Sequence, residues 1–578
     1  MTNRRQFIII LALLSCRDQP EHKDPVEKPT PTSISQETRA AFIGFELDLS
    51  LAGVLRSWRP QNNNPNKVDN PAQSSDDPSQ NSGEPPIFRT FDGRFNNLTN
   101  PDLGKAGTPL SRLTPPDYDG RNLPAGTFAS RPSPRVVSNG LMDQPEDQSV
   151  LNEKRVSDLL WAWGQFIDHD IDLSPIDEEA SLPIQVPEDD PHFTEDTLPF
   201  SRSQYIIDSR GRRQQINSVS TYLDASQVYG SDAATAQSLR APTGKGKLLT
   251  SAQNLLPFDP EAPTPSFRAG DIRVNENVAL TAIHTLFVRE HNRIATEIAE
   301  RNPQYSTDQV YQLARILVTA EIQAITFREF LPLVLGSQAI PAYTAYDPQC
   351  NPRIANEFST VAYRFGHSMI SNELKRLDAN GQTISAGSLA LADAFANPSA
   401  IINEGIAPIL RGLATQVAQK VDPLVVNGLR NFLFLPEADS PGTFFDLPAL
   451  NMQRGRDHGL PDYNRLRRAL GLSPREFRIS DDSSLNEQYQ AIYQSPSEID
   501  PWAGGLAEEH RPDTLVGPLF YTIIKDQFIR LRDSDRFWYE RYLTDEWVQW
   551  INRQTIATVI RRNTIIANEI PNQAFLAP

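Results

Sequence analysis

Between Trp161 and Leu173 the chain reads WAWGQFIDHDIDL, and Gln165, Asp168, His169, Asp170 and Asp172 fall within eight residues of one another. They alternate with Trp161, Trp163, Phe166 and Ile167, which belong in an apolar interior. Gln165 and His169 are four residues apart and share one face of a helix, with Asp168 beside them. An imidazole there suits general acid–base work. A lone histidine on an apolar face is more often a satisfied core residue. An Asp-His-Asp run flanked by a glutamine is harder to explain that way, because each buried carboxylate needs a partner. The pattern points to something bound in an apolar place.

Other polar groups recur at short spacing. Asp170 points away from the His169 face. In SVSTYLDASQVYGSD, residues 218–232, Ser220, Asp224, Ser226 and the carbonyl of Tyr222 are hard oxygen donors of the kind calcium takes. The segment lacks the spacing and terminal glutamate of an EF-hand, and by itself it reads as an Asx- and Ser-rich turn. FRAGDIRVNENVALTAIHTLFVREHNR, residues 267–293, sets Arg273 three before Glu276 at a helix start, where an exposed ion pair is the ordinary reading. His284 and His291 on the same helix read as structural. VAYRFGHSMI places Arg364 three before His367, and LPALNMQRGRDHG supplies Asn451, Arg454 and Arg456. Several arginines near histidines suggest an anionic planar cofactor.

Helices must position these groups. EKRVSDLLWAWGQFIDHD, NENVALTAIHTLFVREHNRIATEIAE, TDQVYQLARILVTAEIQAITFREFLPLVLG and TLVGPLFYTIIKDQFIRLR all repeat apolar residues every three or four positions. Alternating strand patterns are scarce. The fold class is mainly α: a single large helical domain with long irregular loops and few short strands. The 47 prolines imply many helix stops, and a net charge of −17 argues against a nucleic-acid partner. Two cysteines, Cys16 and Cys350, exclude thiolate zinc and iron–sulfur sites and any disulfide framework.

Ahead of the domain, residues 1–16 carry Arg4 and Arg5 before a short apolar run, as an export signal does. NRRQF resembles a twin-arginine signal, and LLSC resembles a lipobox that would put a lipid, and so a membrane attachment, on Cys16. The mature protein is expected outside the cytoplasm: periplasmic, at the cell surface or secreted. Residues 17–86 read as a tether and low-complexity segment, with an apolar patch at 39–58 that suits one amphipathic helix and a disordered stretch at 60–86. The globular domain is expected over 87–578.

The ordered motifs IFRTFDGRFNN, WGQFIDHD, TYLDASQVYGS, AGDIRVNENVAL, HTLFVREHNR, YRFGH, LNMQRGRDHGLPDYN, PWAGGLAEEH and QFIRLRDSDRFWYE closely resemble the animal haem peroxidase family, the group of myeloperoxidase, lactoperoxidase and peroxidasin. With the export signal and tether, a bacterial member is implied. The resemblance implies a haem b cofactor, hydrogen peroxide as oxidant and a small electron donor: a halide, a pseudohalide or an organic molecule. It implies that His169 is the distal base, that Arg273 stabilises charge as the O–O bond breaks, and that Gln165 holds distal water. His367 becomes the iron ligand, and Asn451 the acceptor of its other nitrogen's hydrogen bond. Arg364 and Arg454 would pair with haem propionates, and Asp168 and Glu276 would be ester-linked to the macrocycle. Asp170, Ser220, Tyr222, Asp224 and Ser226 would bind Ca²⁺. A monomer is expected.

This chain departs from the family at Asn277, where myeloperoxidase has a methionine linked to haem, and at Phe95, which replaces a cysteine, so segments such as 174–200 must hold without family disulfides. Two other readings compete. A fatty-acid dioxygenase or cyclooxygenase would place a tyrosine three residues before the proximal histidine, where this chain has Arg364, with Tyr363 one place off. A non-enzymatic, calcium-stabilised surface protein would have no need to keep His169, Arg273 and His367 together.

Overall fold

The computed structural model describes residues 47–56, 86–119, 123–124, 131–145, 148–434 and 444–578. The export signal and the segments 17–46 and 57–85 lie outside these residues. Helix α1 (Asp158–Ile171) buries Leu159, Leu160, Trp163, Phe166 and Ile167. It packs on α2 (Val278–Arg301), where Phe166 stacks on Phe287 at 5.3 Å and Trp163 approaches the same ring at 5.7 Å. Asn277 caps α2, its side chain accepting from the Leu280 amide.

Helix α3 (Thr307–Ile325) lies along α2 and starts with a reciprocal capping box between Ser306 and Gln309. The sequence predicts one helix over 307–336. The helical path is present, but Thr326–Phe330 form a wide π turn before the short helix Leu331–Leu335. Pro332 explains it: its ring has no N–H and crowds the carbonyl four residues back, so the preceding turn widens. Helices α4 (Leu447–Asp457), α5 (Pro518–Asp533) and α6 (Ile556–Asn563) complete the frame. A tight 3₁₀ segment, Ala362–Met369, lies against both α1 and α5 and carries Arg364 and His367.

Strands are short and peripheral, as expected for a mainly α fold. Strand β1 (Thr108–Pro109) pairs antiparallel with β5 (Arg213–Asn217), Thr108 opposite Asn217. Strand β4 (Tyr205–Ile207) adds to the other edge of β5, Tyr205 opposite Gln215. β2 (Ile176–Ser181) pairs with β3 (Ser201–Ser203). The segment that must hold without disulfides has a small core of its own, Leu182, Ile184, Phe193, Leu198 and Phe200 against Ala449 of α4. Arg135 pins it, pairing with Asp190 at 2.7 Å and with Asp446 at 2.6 Å in full burial.

One expectation needs correction. The stretch 47–56 falls inside the span read as tether, yet it docks on the helical body. Leu49, Leu51, Val54 and Leu55 are buried, Leu55 bridges to Leu543, and the Trp547 indole donates to the Asp48 carbonyl at 3.1 Å. The expected amphipathic helix over 39–58 is, in its described part, the single turn Leu51–Val54. Apolar residues in this patch find partners almost 500 positions away, which no local pattern reveals.

At the start of α1, Asp158 is fully buried and receives the Ser371 hydroxyl at 3.0 Å. Burial pushes its carboxyl up to about 7. The folded value lies above the unfolded one, so the fold loses stability as pH rises from about 4 to 7, by at most ~4 kcal/mol at 1.36 kcal/mol per pH unit. Asp158→Asn mimics the neutral acid. Its denaturation midpoint is therefore expected to gain on the wild type across that window and level off above it. A difference that stays constant with pH would contradict the shift.

Candidate active site

Gly164, Gln165 and Asp168 on α1 are partly accessible, as are Arg273, Glu276, Arg364, Gly366, His367 and Arg454, although Phe166, Ile167, His169, Val274, Asn277, Phe365 and Ser368 beside them are buried. The Asp168 side chain is 31 % exposed and that of Glu276 39 %. In the middle of packed helices, such accessibility marks an internal cleft between α1 and the 362–369 segment. Those walls are close: a Cβ added at Gly366 would sit 4.0 Å from that of Trp161.

On the α1 wall, His169 is buried, its Nδ1 3.6 Å from Asp271 and its Nε2 3.8 Å from Glu276. Neither distance is a hydrogen bond. Burial, with Arg273 beside it, holds the imidazole well below its usual range, so it is neutral and able to take a proton. Arg273 is fixed by Asp271, whose carboxylate receives Nε and Nη2 at 2.9 Å each and the Arg273 amide at 2.8 Å. Nη2 also donates to the Asp172 carbonyl at 2.9 Å. The ion pair holds Asp271 low and Arg273 high against burial. Gln165 donates to Glu276 at 2.9 Å. The sequence reading gave Asp271 no role and paired Arg273 with Glu276. A carboxylate two residues before an arginine faces it here because Asp271 caps a 3₁₀ turn, Ile272–Asn275, where helix-face spacing does not apply.

On the opposite wall His367 is neutral, pushed down to about 3 by burial and then by Arg364. Its Nδ1 lies 2.8 Å from Asn451, as the sequence reading expects. The amide polarity is the reverse of the expectation: Asn451 turns Nδ2 to the imidazole and accepts Arg364 Nη1 on Oδ1 at 2.8 Å. The arginine's positive charge claims the amide oxygen, a preference that residue types alone do not disclose. Arg454 donates to Ser203 at 2.9 Å and lies 3.2 Å from Asp457, with its guanidinium over Phe200. Asp168 lies between the walls. Burial, chiefly, and Asp172 push its carboxyl up to about 7, against the pull of Arg273 and Arg364.

Behind His169, Asp170 is buried and accepts the Ser226 amide at 2.5 Å and the Ala225 amide at 3.1 Å. Ser220 donates to Asp224 at 2.8 Å, and Asp224 Oδ1 has no hydrogen-bond partner. Burial raises both carboxyls, Asp224 to about 6, and Asp224 raises Asp170 further. Ala225 takes a left-handed backbone, φ 65°, that costs a side-chain-bearing residue energy. Two buried carboxylates, one with an unpartnered oxygen, suit a cation. Among the described residues no three His, Cys, Asp or Glu side chains converge, so hydroxyl and carbonyl oxygens would have to complete such a site.

His291 is structural, as expected: Tyr229 and the Gly246 carbonyl each lie 2.9 Å from its ring nitrogens. Tyr363 stacks on Phe358 at 4.6 Å within an aromatic cluster, while position 364 faces the cleft.

A family model described as animal haem peroxidase matches residues 88–575. The chain is 38 % identical to eosinophil peroxidase of Homo sapiens over 540 residues, covering 82 % of this chain and 75 % of that protein. It is 35 % identical to peroxinectin A of Dictyostelium discoideum over 519 residues, covering 82 % and 93 %. Among solved structures, peroxidase A from Dictyostelium discoideum superposes with a TM-score of 0.76 at 34 % identity, covering 85 % of this chain and 99 % of that one. A fatty acid alpha-dioxygenase of Arabidopsis thaliana shares the fold, with a TM-score of 0.72 at 20 % identity over 82 % and 80 % of the two chains.

Proposed function

The chain belongs to the animal haem peroxidase family, whose members are hydrogen peroxide-dependent oxidoreductases, and from that premise we propose that the cleft between α1 and residues 362–369 is where it holds haem and reduces peroxide. Haem bound there would supply the redox-active iron that peroxide reduction and donor oxidation require. The observation that carries the reading is His169 beside an Arg273 held by Asp271 on one wall, and His367 against Asn451 on the other.

His367 would hold the iron through Nε2. That requires its proton on Nδ1 and an acceptor there, so Asn451 would present Oδ1 once Arg364 turns to a propionate. Arg454 would serve the second propionate. His169 takes a proton from one oxygen of hydrogen peroxide and delivers it to the other, which leaves as water. Arg273 offers a fixed positive charge to the departing oxygen without reorganising, because Asp271 already holds it. Gln165 positions water beside His169. Replacing His169 by Ala is expected to slow the reaction of the ferric enzyme with peroxide by ~10²–10⁴ in stopped-flow absorbance. A wild-type rate would remove His169 from the mechanism.

Asp170, Ser220, Tyr222, Asp224 and Ser226 form a calcium site in this reading, supported by the unpartnered Asp224 oxygen and by two buried carboxyls whose charged forms burial disfavours. Purified protein should contain bound calcium, and Asp224→Ala should lose it and alter the haem spectrum. Calcium-free wild type would overturn the assignment. Asp168 and Glu276 are proposed to form ester links. Their support is cleft accessibility and, for Asp168, a carboxyl whose charged form is disfavoured. Acidic organic extraction after peroxide treatment should leave haem on the wild type and release it from Asp168→Val/Glu276→Gln. Full release from the wild type would contradict the links.

The donor is proposed to be a halide, a pseudohalide or a small organic molecule. Domain limits of 87–578, a monomeric state, export and lipidation at Cys16 stand as proposals on the sequence. Among the described residues no helix is long and apolar enough to cross a membrane.

A further inference from the structure

Asn277 has two jobs on one side chain. Its Oδ1 accepts the Leu280 amide at 2.9 Å and caps α2. Its Nδ2, buried with the rest of the residue, donates to Gln165 Oε1 at 2.9 Å. Gln165 in turn donates Nε2 to Glu276 Oε1 at 2.9 Å, and the other Glu276 oxygen lies 3.8 Å from His169 Nε2. A carboxamide has one donor end and one acceptor end, so the direction at either end of this chain sets the direction throughout. The Leu280 amide can only donate. It fixes the Asn277 oxygen, which fixes the nitrogen toward Gln165, which leaves the Gln165 nitrogen on the Glu276 side.

We propose that Asn277 is a positioning residue that sets the amide polarity of Gln165, so that an N–H rather than a carbonyl oxygen is presented on the His169 side of the cleft. The proposal rests on the reading of Gln165 as part of the distal wall. Capping alone does not account for the residue, since a cap needs only an acceptor and Asp or Ser serves equally well. A separate donor end is what they lack: Asp has no N–H, and Ser has only the one hydroxyl that takes the cap. A carboxylate at position 277 would keep the cap but set Gln165 between two acceptors. Its single NH₂ could then not satisfy both in the present arrangement, and the amide would turn over in part of the population. A small anionic ligand beside His169 would then meet a carbonyl oxygen.

Cyanide is the probe, its dissociation constant for the ferric holoenzyme read from the Soret shift. Asn277→Asp and Asn277→Ser are compared with the wild type and with Gln165→Leu, and denaturation midpoints are recorded for each. The expected result is an Asn277→Asp protein with an unchanged midpoint and cyanide binding about tenfold weaker, the scale of one lost hydrogen bond, close to that of Gln165→Leu. Wild-type cyanide affinity in Asn277→Asp, with Gln165→Leu impaired, would overturn this inference and leave the distal reading intact. Wild-type affinity in Gln165→Leu would overturn both. Parallel losses of midpoint and affinity in Asn277→Asp and Asn277→Ser would assign Asn277 to capping alone.

Discussion

The site depends on keeping charge buried along one helix. Asp168, His169, Asp170 and Asp172 follow one another at the end of α1, where solvation by water is largely replaced by protein. Each is accommodated by a different part of the chain. The backbone of Ala225 and Ser226 satisfies Asp170. The Asp172 carboxyl, raised by burial, is eased by a hydrogen bond with Ser359 and by the charges of Arg273 and Arg364, and Asp168 sits between the same two arginines. His169 meets this charge by staying neutral. Remove these partners and the helix end would have to reach water or protonate, and the cleft it walls would go with it.

The loop behind α1 and the turn carrying Arg273 are one unit. Gly270 shows why: a Cβ there would lie 2.3 Å from the Ser226 carbonyl oxygen and 2.4 Å from the Gly230 amide nitrogen. The backbones touch, and the Asp271 amide donates to the Gln227 carbonyl at 3.1 Å. The proposed cation site thus adjoins His169, through chain continuity with Asp170, and Arg273, through Gly270. A change at Asp224 can reach the cleft by either route.

Much of this was legible in residue order. Apolar periodicity locates α1, α2, α3 and α5, and the i,i+4 relation of Gln165 and His169 puts both on one face of α1. The contact of Asn451 with His367, residues 84 positions apart, came from the family resemblance and not from spacing. Four features are hidden from residue order. Asp271 lies within a conspicuous motif, but its partnership with Arg273 depends on a 3₁₀ cap. In the sequence Asn277 signifies only the loss of a haem link, whereas its donor end and its cap become visible only in three dimensions. The docking of residues 47–56 and the Arg135–Asp190–Asp446 cluster join distant segments by burial, which leaves no local periodic trace. Amide polarity at Asn451 is also beyond sequence, because it is decided by which neighbour carries charge.

The central claim is that one cleft, with His367 on one wall and His169 with Arg273 on the other, holds the haem. Its most direct test is the electron paramagnetic resonance spectrum of ferric His367→Gly holoenzyme, with and without added imidazole. The account predicts loss of histidine ligation in the variant and its return, with a wild-type-like spectrum, when imidazole occupies the space left by the side chain. A His367→Gly protein whose iron keeps the wild-type spectrum without imidazole would contradict it.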